Sequence, residues 1–254
     1  MNILLIGSGG REHALALALS RSKELENLYA APANPGILQV AKQAQISIND
    51  FNQVSTFCKE NHIDFVVIGP EQPLEAGLSD ALRSEGIVVF GPSKQAAMLE
   101  TSKSFAKEFM VRHTIPTASF KRFTVIQQAQ ALEYVKNHPL PVVIKADGLA
   151  AGKGVVVAET TLDAENAIKD ILGGSFGSAG AEVVVEAFLK GEEASVFAIC
   201  DGRNFLTLAP AQDHKRAFDG DKGKNTGGMG AFAPAAIVTE EIPHKVQEHI
   251  IATN

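Results

Sequence analysis

The chain holds 254 residues, enough at about 150 residues per domain for one large or two to three modest domains. Hydrophobic residues make up 45% and charged residues 20%, a globular balance that excludes disorder, collagen and coiled coil. With 23 Lys and Arg against 29 Asp and Glu the net charge is −6, and with no Trp and two Tyr the chain lacks both the basic field and the aromatic platforms of nucleic-acid binding.

Two cysteines, Cys58 and Cys200, are too few for a disulfide framework and lack the paired spacing of a zinc site. A reducing, cytoplasmic compartment follows as the expectation. No apolar run nears the roughly 18 residues of a membrane helix, and residues 1–6 lack the basic region that opens a signal peptide, so no membrane partner is expected.

Short β-branched runs at 3–6, 28–31, 65–68 and 87–90 alternate with helix-like segments, which predicts βαβ units and a parallel sheet. Residues 14–19 alternate Ala and Leu with a strand's period, but they contain no β-branched residue and follow a glycine turn, so helix propensity decides. Gly91-Pro92-Ser93 closes this block, and a helix over 102–113 stops before Pro116, whose missing N–H cannot continue it. A boundary near residue 100 is expected.

A smaller α/β unit follows, with strands at 141–146, 154–158 and 182–186 and helices at 125–137 and 162–172. Next, residues 192–200 and 204–208 read as a hairpin turning at Asp201-Gly202, then a long polar loop over 213–230, and one helix after Thr239. No internal repeat is visible.

Gly7-Ser8-Gly9-Gly10-Arg11-Glu12-His13 lies between the first strand and the first helix, where glycines and free amides at a helix start can approach an anion. Glu12 replaces the third glycine of a dinucleotide fingerprint and no acid ends the second strand, so NAD is not expected. Arg11 and His13 favour a phosphate; a plain tight turn is the other reading. Gly69-Pro70-Glu71 also follows a strand, and the carboxyl ends of parallel strands are where ligands collect. Glu71 there suits a ribose hydroxyl or an amine, or is a solvated acid at a helix start.

The most informative stretch is Val142-Val143-Ile144-Lys145-Ala146-Asp147-Gly148-Leu149-Ala150-Ala151-Gly152-Lys153-Gly154-Val155. A strand, a glycine-rich loop carrying a lysine and a second strand make a flap that can fold over a polyphosphate, with Lys145 projecting toward it from a rigid base. Glu186-Ala187-Phe188-Leu189 and Glu193 end the next strand, where main-chain groups and aliphatic walls can meet a purine and a carboxylate can hold ribose hydroxyls. Gln212-Asp213-His214-Lys215-Arg216 and Asn225-Thr226-Gly227-Gly228-Met229-Gly230 put charge and glycine into one loop, read either as function or as a solvated face.

Taken in order, these stretches resemble the ATP-grasp ligases, and within them the glycinamide ribonucleotide synthetase (phosphoribosylamine-glycine ligase) family. The resemblance implies a Rossmann-like N-terminal domain over 1–101 that binds phosphoribosylamine and a linker helix over 102–121. It also implies a small ATP-grasp flap domain over 122–189 and the first part of the large ATP-grasp domain over 190–254. It implies ATP-dependent joining of glycine to 5-phosphoribosylamine by way of glycyl phosphate, with Mg²⁺ or Mn²⁺, small-molecule partners only, and a monomer.

By motif position, Lys145, Lys215 and Asp213 are the catalytic set. The resemblance implies that Lys103, Lys145, Gly148, Gly152, Lys153 and Gly154 face the phosphates of ATP, while Glu186, Phe188, Leu189 and Glu193 face its adenosine. The substrate set is Gly9, Gly10, Arg11, Glu12, His13, Gly69, Pro70, Glu71, Asp213, Lys215, Asn225, Thr226, Gly227 and Gly228. Two departures stand out: Ala187 where a second Glu is usual, and Lys224 where Pro usually precedes the Asn-Thr-Gly-Gly run. The family's acidic metal ligands and its Arg-x-Gly-Asp-Pro-Glu signature have no counterpart in the sequence, so no metal ligand is assigned. Alternatives are a nucleotide-binding fragment without turnover and another ATP-grasp carboxylate-amine ligase.

Overall fold

A computed structural model describes residues 1–150, 154–220 and 222–252, the side chains of Ser178, Lys222, Lys224 and Asn225 excepted. The chain divides into two compact units, Met1–Thr101 and Ser102–Asn254.

The first unit runs β1 (Asn2–Gly7), α1 (Gly10–Ser20), β2 (Asn27–Pro32), β3 (Lys42–Gln43), α2 (Phe51–Glu60), β4 (Phe65–Ile68), α3 (Glu71–Ala76), α4 (Leu78–Ser84), β5 (Val89–Phe90) and α5 (Lys94–Thr101). Its five strands are all parallel in the order β3-β2-β1-β4-β5. The central strand β1 is an unbroken apolar run because both of its faces are covered. Leu4 and Ile6 join Val54, Cys58, Leu74, Leu78 and Leu82 on one face, while Ile3 and Leu5 meet Ala16 and Ile37 on the other. The Ala-Leu alternation at 14–19 is helical, as helix propensity dictates. The strand expected over 87–90 is the shorter β5, Val89–Phe90, an edge with one neighbour.

The second unit opens with α6 (Lys103–Arg112), capped by the Ser102 side chain, which accepts from Phe105 N–H. It continues through β6 (Phe120–Thr124), α7 (Gln128–Lys136), β7 (Val142–Ala146), β8 (Val155–Ala158), α8 (Thr161–Asp170) and β9 (Glu182–Ala187). The four strands form an antiparallel sheet, β6-β9-β7-β8. Side chains alternate across its two faces. Val142, Ile144, Ala146, Val183 and Val185 pack with Ala131, Val135, Ala164 and Ile168 of α7 and α8 into the core. Val143, Lys145, Val184 and Glu186 therefore point to the opposite face.

Two expectations for the remainder are corrected. The strand expected over 192–200 is only β10 (Ala198–Cys200), paired with β11 (Phe205–Thr207), with a lone bridge between Ser195 and Ala211. The polar loop expected over 213–230 is laddered: β12 (Gln212–Asp213) pairs with β15 (Ala231–Phe232), and β13 (Arg216–Phe218) pairs with β14 (Lys222–Asn225). Backbone pairing there needs no apolar alternation, so a hydrophobic pattern could not announce it. The chain then enters α9 (Glu241–Val246). No helix among the described residues is long and apolar enough to cross a membrane.

The two thiols occupy opposite environments. Cys58 is on the buried face of α2, where burial and then the nearby Glu85 push its thiol up to about 11, whereas Cys200 is exposed. Since the thiolate is the reactive form, one thiol is expected to react with Ellman's reagent promptly at pH 8 and the second only in denaturant. Two prompt equivalents would contradict the packing of α2.

Candidate functional site

In the first unit the carboxyl ends of β1 and β4 carry the two glycine turns. Glu12 lies in the first turn of α1 and is 4% exposed. Its Oε2 accepts the Gly9 N–H at 2.7 Å, and its Oε1 accepts from Arg11 Nε at 3.2 Å. Carboxylates at this helix position reach back to the helix start because its amides lack partners. The amide of Gly9 is thus held by Glu12, which corrects the expectation of free amides around that turn. Glycine is needed for this fit: an added Cβ would stand 2.4 Å from Glu12 atoms at Gly7, 2.8 Å at Gly9 and 2.3 Å at Gly69.

Arg11 bridges the turns, donating from Nη2 to Glu71 Oε1 at 2.9 Å. Partial burial opposes the charge on Glu71, but its own backbone N–H and Arg11 outweigh it and hold the carboxyl below its usual range. Burial likewise opposes the charge of Arg11, and Glu71 and Glu12 more than offset it. Gly9, Arg11, Glu12, Gly69 and Glu71 are therefore brought together, with Pro70 as the residue before α3 and Gly10 open to space. His13 turns aside, its ring lying where a Cβ of Gly36 would be, 2.3 Å away.

In the second unit, Lys145 and Glu186 share the sheet face opposite the core, one diagonal step apart across the β7–β9 register. Lys145 Nζ lies 3.0 Å from Glu186 Oε2. Lys107, four residues after Lys103 on α6, places its own Nζ 3.0 Å from the same oxygen. The other oxygen, Glu186 Oε1, is buried and has no hydrogen-bond partner among the described residues. A buried carboxylate oxygen left unpaired is costly, on the order of 1–3 kcal/mol, which marks it as an acceptor awaiting a donor.

Lys103 Nζ donates to the carbonyls of Asp147 and Gly148 at 3.3 and 3.2 Å, which brings a third ammonium to the root of the flap. Asp147 locks that root to α6, accepting from Ser104 N–H at 2.5 Å and Ser102 Oγ at 3.0 Å, so its charge is spent on the helix start. Gly148 presses on Ala179, where a Cβ would lie 2.9 Å from Cα, and Gly154 closes the loop by accepting Ala146 N–H at 2.7 Å. Gly152 and Lys153 lie outside the described residues. Lys107 and Lys145 thus share one oxygen of Glu186, while Lys103 stands on backbone carbonyls at the root of the flap, so Lys145 and Lys103 bring positive charge that suits an anion.

Phe188 and Leu189 follow β9 and are exposed. Glu193 and Lys215 form a close ion pair, which holds Lys215 above the usual lysine range against partial burial, with Asp213 adding to the effect. Thr226 accompanies them, its N–H and hydroxyl both donating to the Lys215 carbonyl, and its own Oγ1 accepts Gly228 N–H at 3.0 Å beside Gly227. The backbone of Asn225 pairs with Arg216. Sequence reasoning missed Lys107 and Asp147. The Lys103–Lys107 spacing, one helical turn, was the available signal for the first.

An open parallel sheet followed by this lysine-bearing antiparallel sheet defines an ATP-grasp protein, and the sequence profile "Phosphoribosylglycinamide synthetase, ATP-grasp (A) domain" matches residues 101–254. The corresponding N-domain profile matches residues 1–100, and the chain belongs to the phosphoribosylglycinamide synthetase family. It is 56% identical over 251 residues to the phosphoribosylamine–glycine ligase of Brucella melitensis, covering 99% of this chain and 58% of that protein. To the ligase of Agrobacterium fabrum it is 55% identical over 251 residues, covering 99% and 59%. The crystal structure of the Thermotoga maritima ligase superposes with a TM-score of 0.83 at 33% identity, over 100% of this chain and 60% of that one. The chain therefore spans somewhat under three-fifths of the length of these relatives. The biotin carboxylase domain of the Hydrogenobacter thermophilus 2-oxoglutarate carboxylase, at 18% identity and TM-score 0.74, shares the fold.

The Arg11–Glu71 pair makes a pH prediction. Because the folded state lowers the Glu71 pKa, its contribution is present above the unfolded value of about 4.3 and is lost as pH falls through the folded value. Both partners are more than a third exposed, so urea titrations should separate wild type from Glu71→Gln by at most about 1 kcal/mol near pH 6. The gap should close as pH falls through the folded value. A gap that widens on acidification would contradict the pairing.

Proposed function

We propose that the chain supplies the phosphoribosylamine- and nucleotide-binding parts of an ATP-dependent ligase that joins glycine to 5-phosphoribosylamine. The products are glycinamide ribonucleotide, ADP and phosphate, formed by way of glycyl phosphate. The observation that carries the reading is Lys145 paired with Glu186 on the sheet face away from the core, with Lys103 at the root of the flap and one buried carboxylate oxygen left open. Membership of the family supports the choice of substrates.

The chemistry asks for such a cluster. A carboxylate is a poor electrophile until its oxygen is phosphorylated, so the protein must neutralise the moving phosphoryl group and hold glycine in line with it. In this reading Lys103 and Lys145 meet the phosphates and the loop from Gly148 to Gly154 closes over them, excluding water from the acyl phosphate. Glu186, Phe188 and Leu189 take the base and Glu193 the ribose. Asp213, Lys215 and residues 225–228 face the substrates, and the Gly9 and Gly69 turns, with Arg11, seat the phosphoribosyl group. The finer division into a phosphoribosylamine domain over 1–101, a linker helix over 102–121, a flap domain over 122–189 and the first part of a large domain over 190–254 belongs to the same proposal, as do a cytoplasmic location and a monomer.

Mg²⁺ or Mn²⁺ would neutralise phosphate charge in this reaction. Among the described residues no group of three or more His, Cys, Asp or Glu is placed to hold a metal ion, so the residues present do not form that site and no step is routed through it. The same observation favours a second reading, a unit that binds nucleotide and turns over only when acidic ligands are provided from elsewhere.

Phosphate release from ATP, measured with glycine and phosphoribosylamine omitted in turn, separates the readings. Release that needs both substrates supports ligation. Nucleotide binding without release supports the second reading, and release with a different amine overturns the substrate assignment. Lys145→Ala should lower ATP affinity about tenfold by calorimetry, the worth of one charge-assisted contact. The fold should persist, because Lys107 still holds Glu186. Unchanged affinity would remove Lys145 from the site.

A further inference from the structure

We infer that Lys107 is a positioning residue that sets which base the nucleotide site accepts, by fixing the orientation of Glu186. The inference rests on the nucleotide-binding reading above and adds to it a residue that no motif marked.

The Lys107 side chain is 10% exposed, and its ammonium has three acceptors within reach: Glu186 Oε2 at 3.0 Å, Thr117 Oγ1 at 2.7 Å and the Ala118 carbonyl at 3.4 Å. One ion pair and two hydrogen bonds therefore hold the ammonium on several sides. Thr117 and Ala118 lie just before β6 and hold Lys107 through its ammonium. Its Nζ also stands 5.7 Å from the ring centroid of Phe120, the residue paired with Glu186 across β6 and β9.

One consequence follows for Glu186. Both ammoniums sit on the same oxygen, which leaves Oε1 buried and, among the described residues, without a hydrogen-bond partner. Without Lys107, the remaining Lys145 is free to straddle both oxygens and close the open one. With it, Oε1 is kept as a fixed acceptor in a place with little water, where an unmatched partner is penalised most. Such an atom accepts from an exocyclic amine and repels a carbonyl oxygen at the same position. The ligand class it selects is a nucleotide whose base carries an amine on that edge.

The test is a binding cycle by calorimetry on the full chain with three probes: ATP, inosine triphosphate, in which a carbonyl replaces the exocyclic amine, and inorganic triphosphate, which has no base. Wild type should prefer ATP over inosine triphosphate by about tenfold or more. Lys107→Met should bring that ratio close to one while leaving triphosphate affinity within about twofold, and Lys107→Arg should restore most of the ratio. Lys107→Met leaves a buried carboxylate short of one partner and risks unfolding, so the cycle includes Glu186→Gln and the double variant, in which the buried charge leaves with its partner.

Because the effect is assigned to Glu186, Lys107→Met should change nothing further in the Glu186→Gln background. An equal loss for all three probes, an unchanged ratio in Lys107→Met, or a further drop in the double variant overturns the role of Lys107 while the nucleotide site stands. Failure of the wild-type chain to bind any nucleotide overturns the site itself, and this inference with it.

Discussion

One carboxylate organises the second unit. Glu186 sits on the sheet face turned away from the core, and it draws Lys145 from β7 and Lys107 from α6 onto a single oxygen. Everything else in the cluster depends on that arrangement. Lys103 follows because it lies one turn before Lys107 on the same helix, and it reaches the carbonyls at the root of the flap. Asp147 then pins that root to the start of α6 through the amide of Ser104. A strand, a helix start and a glycine loop are thereby held in one geometry by charge, while the hydrophobic core on the other face does the folding.

The first unit uses a buried acid differently. Glu12 fills the space that three glycines leave, takes the Gly9 amide and steadies Arg11, which in turn reaches Glu71. The two glycine turns are thus linked by side chains as well as by the neighbouring strands that carry them. Seated this way, Arg11 keeps its guanidinium at the carboxyl edge of the sheet, where open parallel sheets bind their ligands. In both units a carboxylate presents cations: Glu12 orients a guanidinium, and Glu186 gathers ammoniums.

Much of this was legible in the sequence, for physical reasons. Apolar runs of strand length separated by helical stretches announce a parallel sheet, and residues 3–6 and 65–68 form its centre. The stretch from Val142 to Val155 announced its two strands because alternation places Val142, Ile144 and Ala146 in the core and Lys145 out of it. What stayed hidden depends on long-range pairing. Lys107 reads as an ordinary helix lysine until Thr117, Ala118 and Glu186 are brought to it. Glu12 reads as a broken glycine fingerprint until Gly69, far along the chain, is seen packing on it. Residues 213–230 read as a polar loop because their ladders are made by backbone groups, which carry no hydrophobic signature.

The most direct measurement is a crystal structure of the chain with a non-hydrolysable ATP analogue. The account predicts the phosphate chain beside Lys103 and Lys145, and an exocyclic amine within hydrogen-bonding reach of Glu186 Oε1 while Lys107 still holds the other oxygen. Analogue bound on the α7–α8 face of the sheet, or a base that leaves Oε1 unpaired, would contradict it.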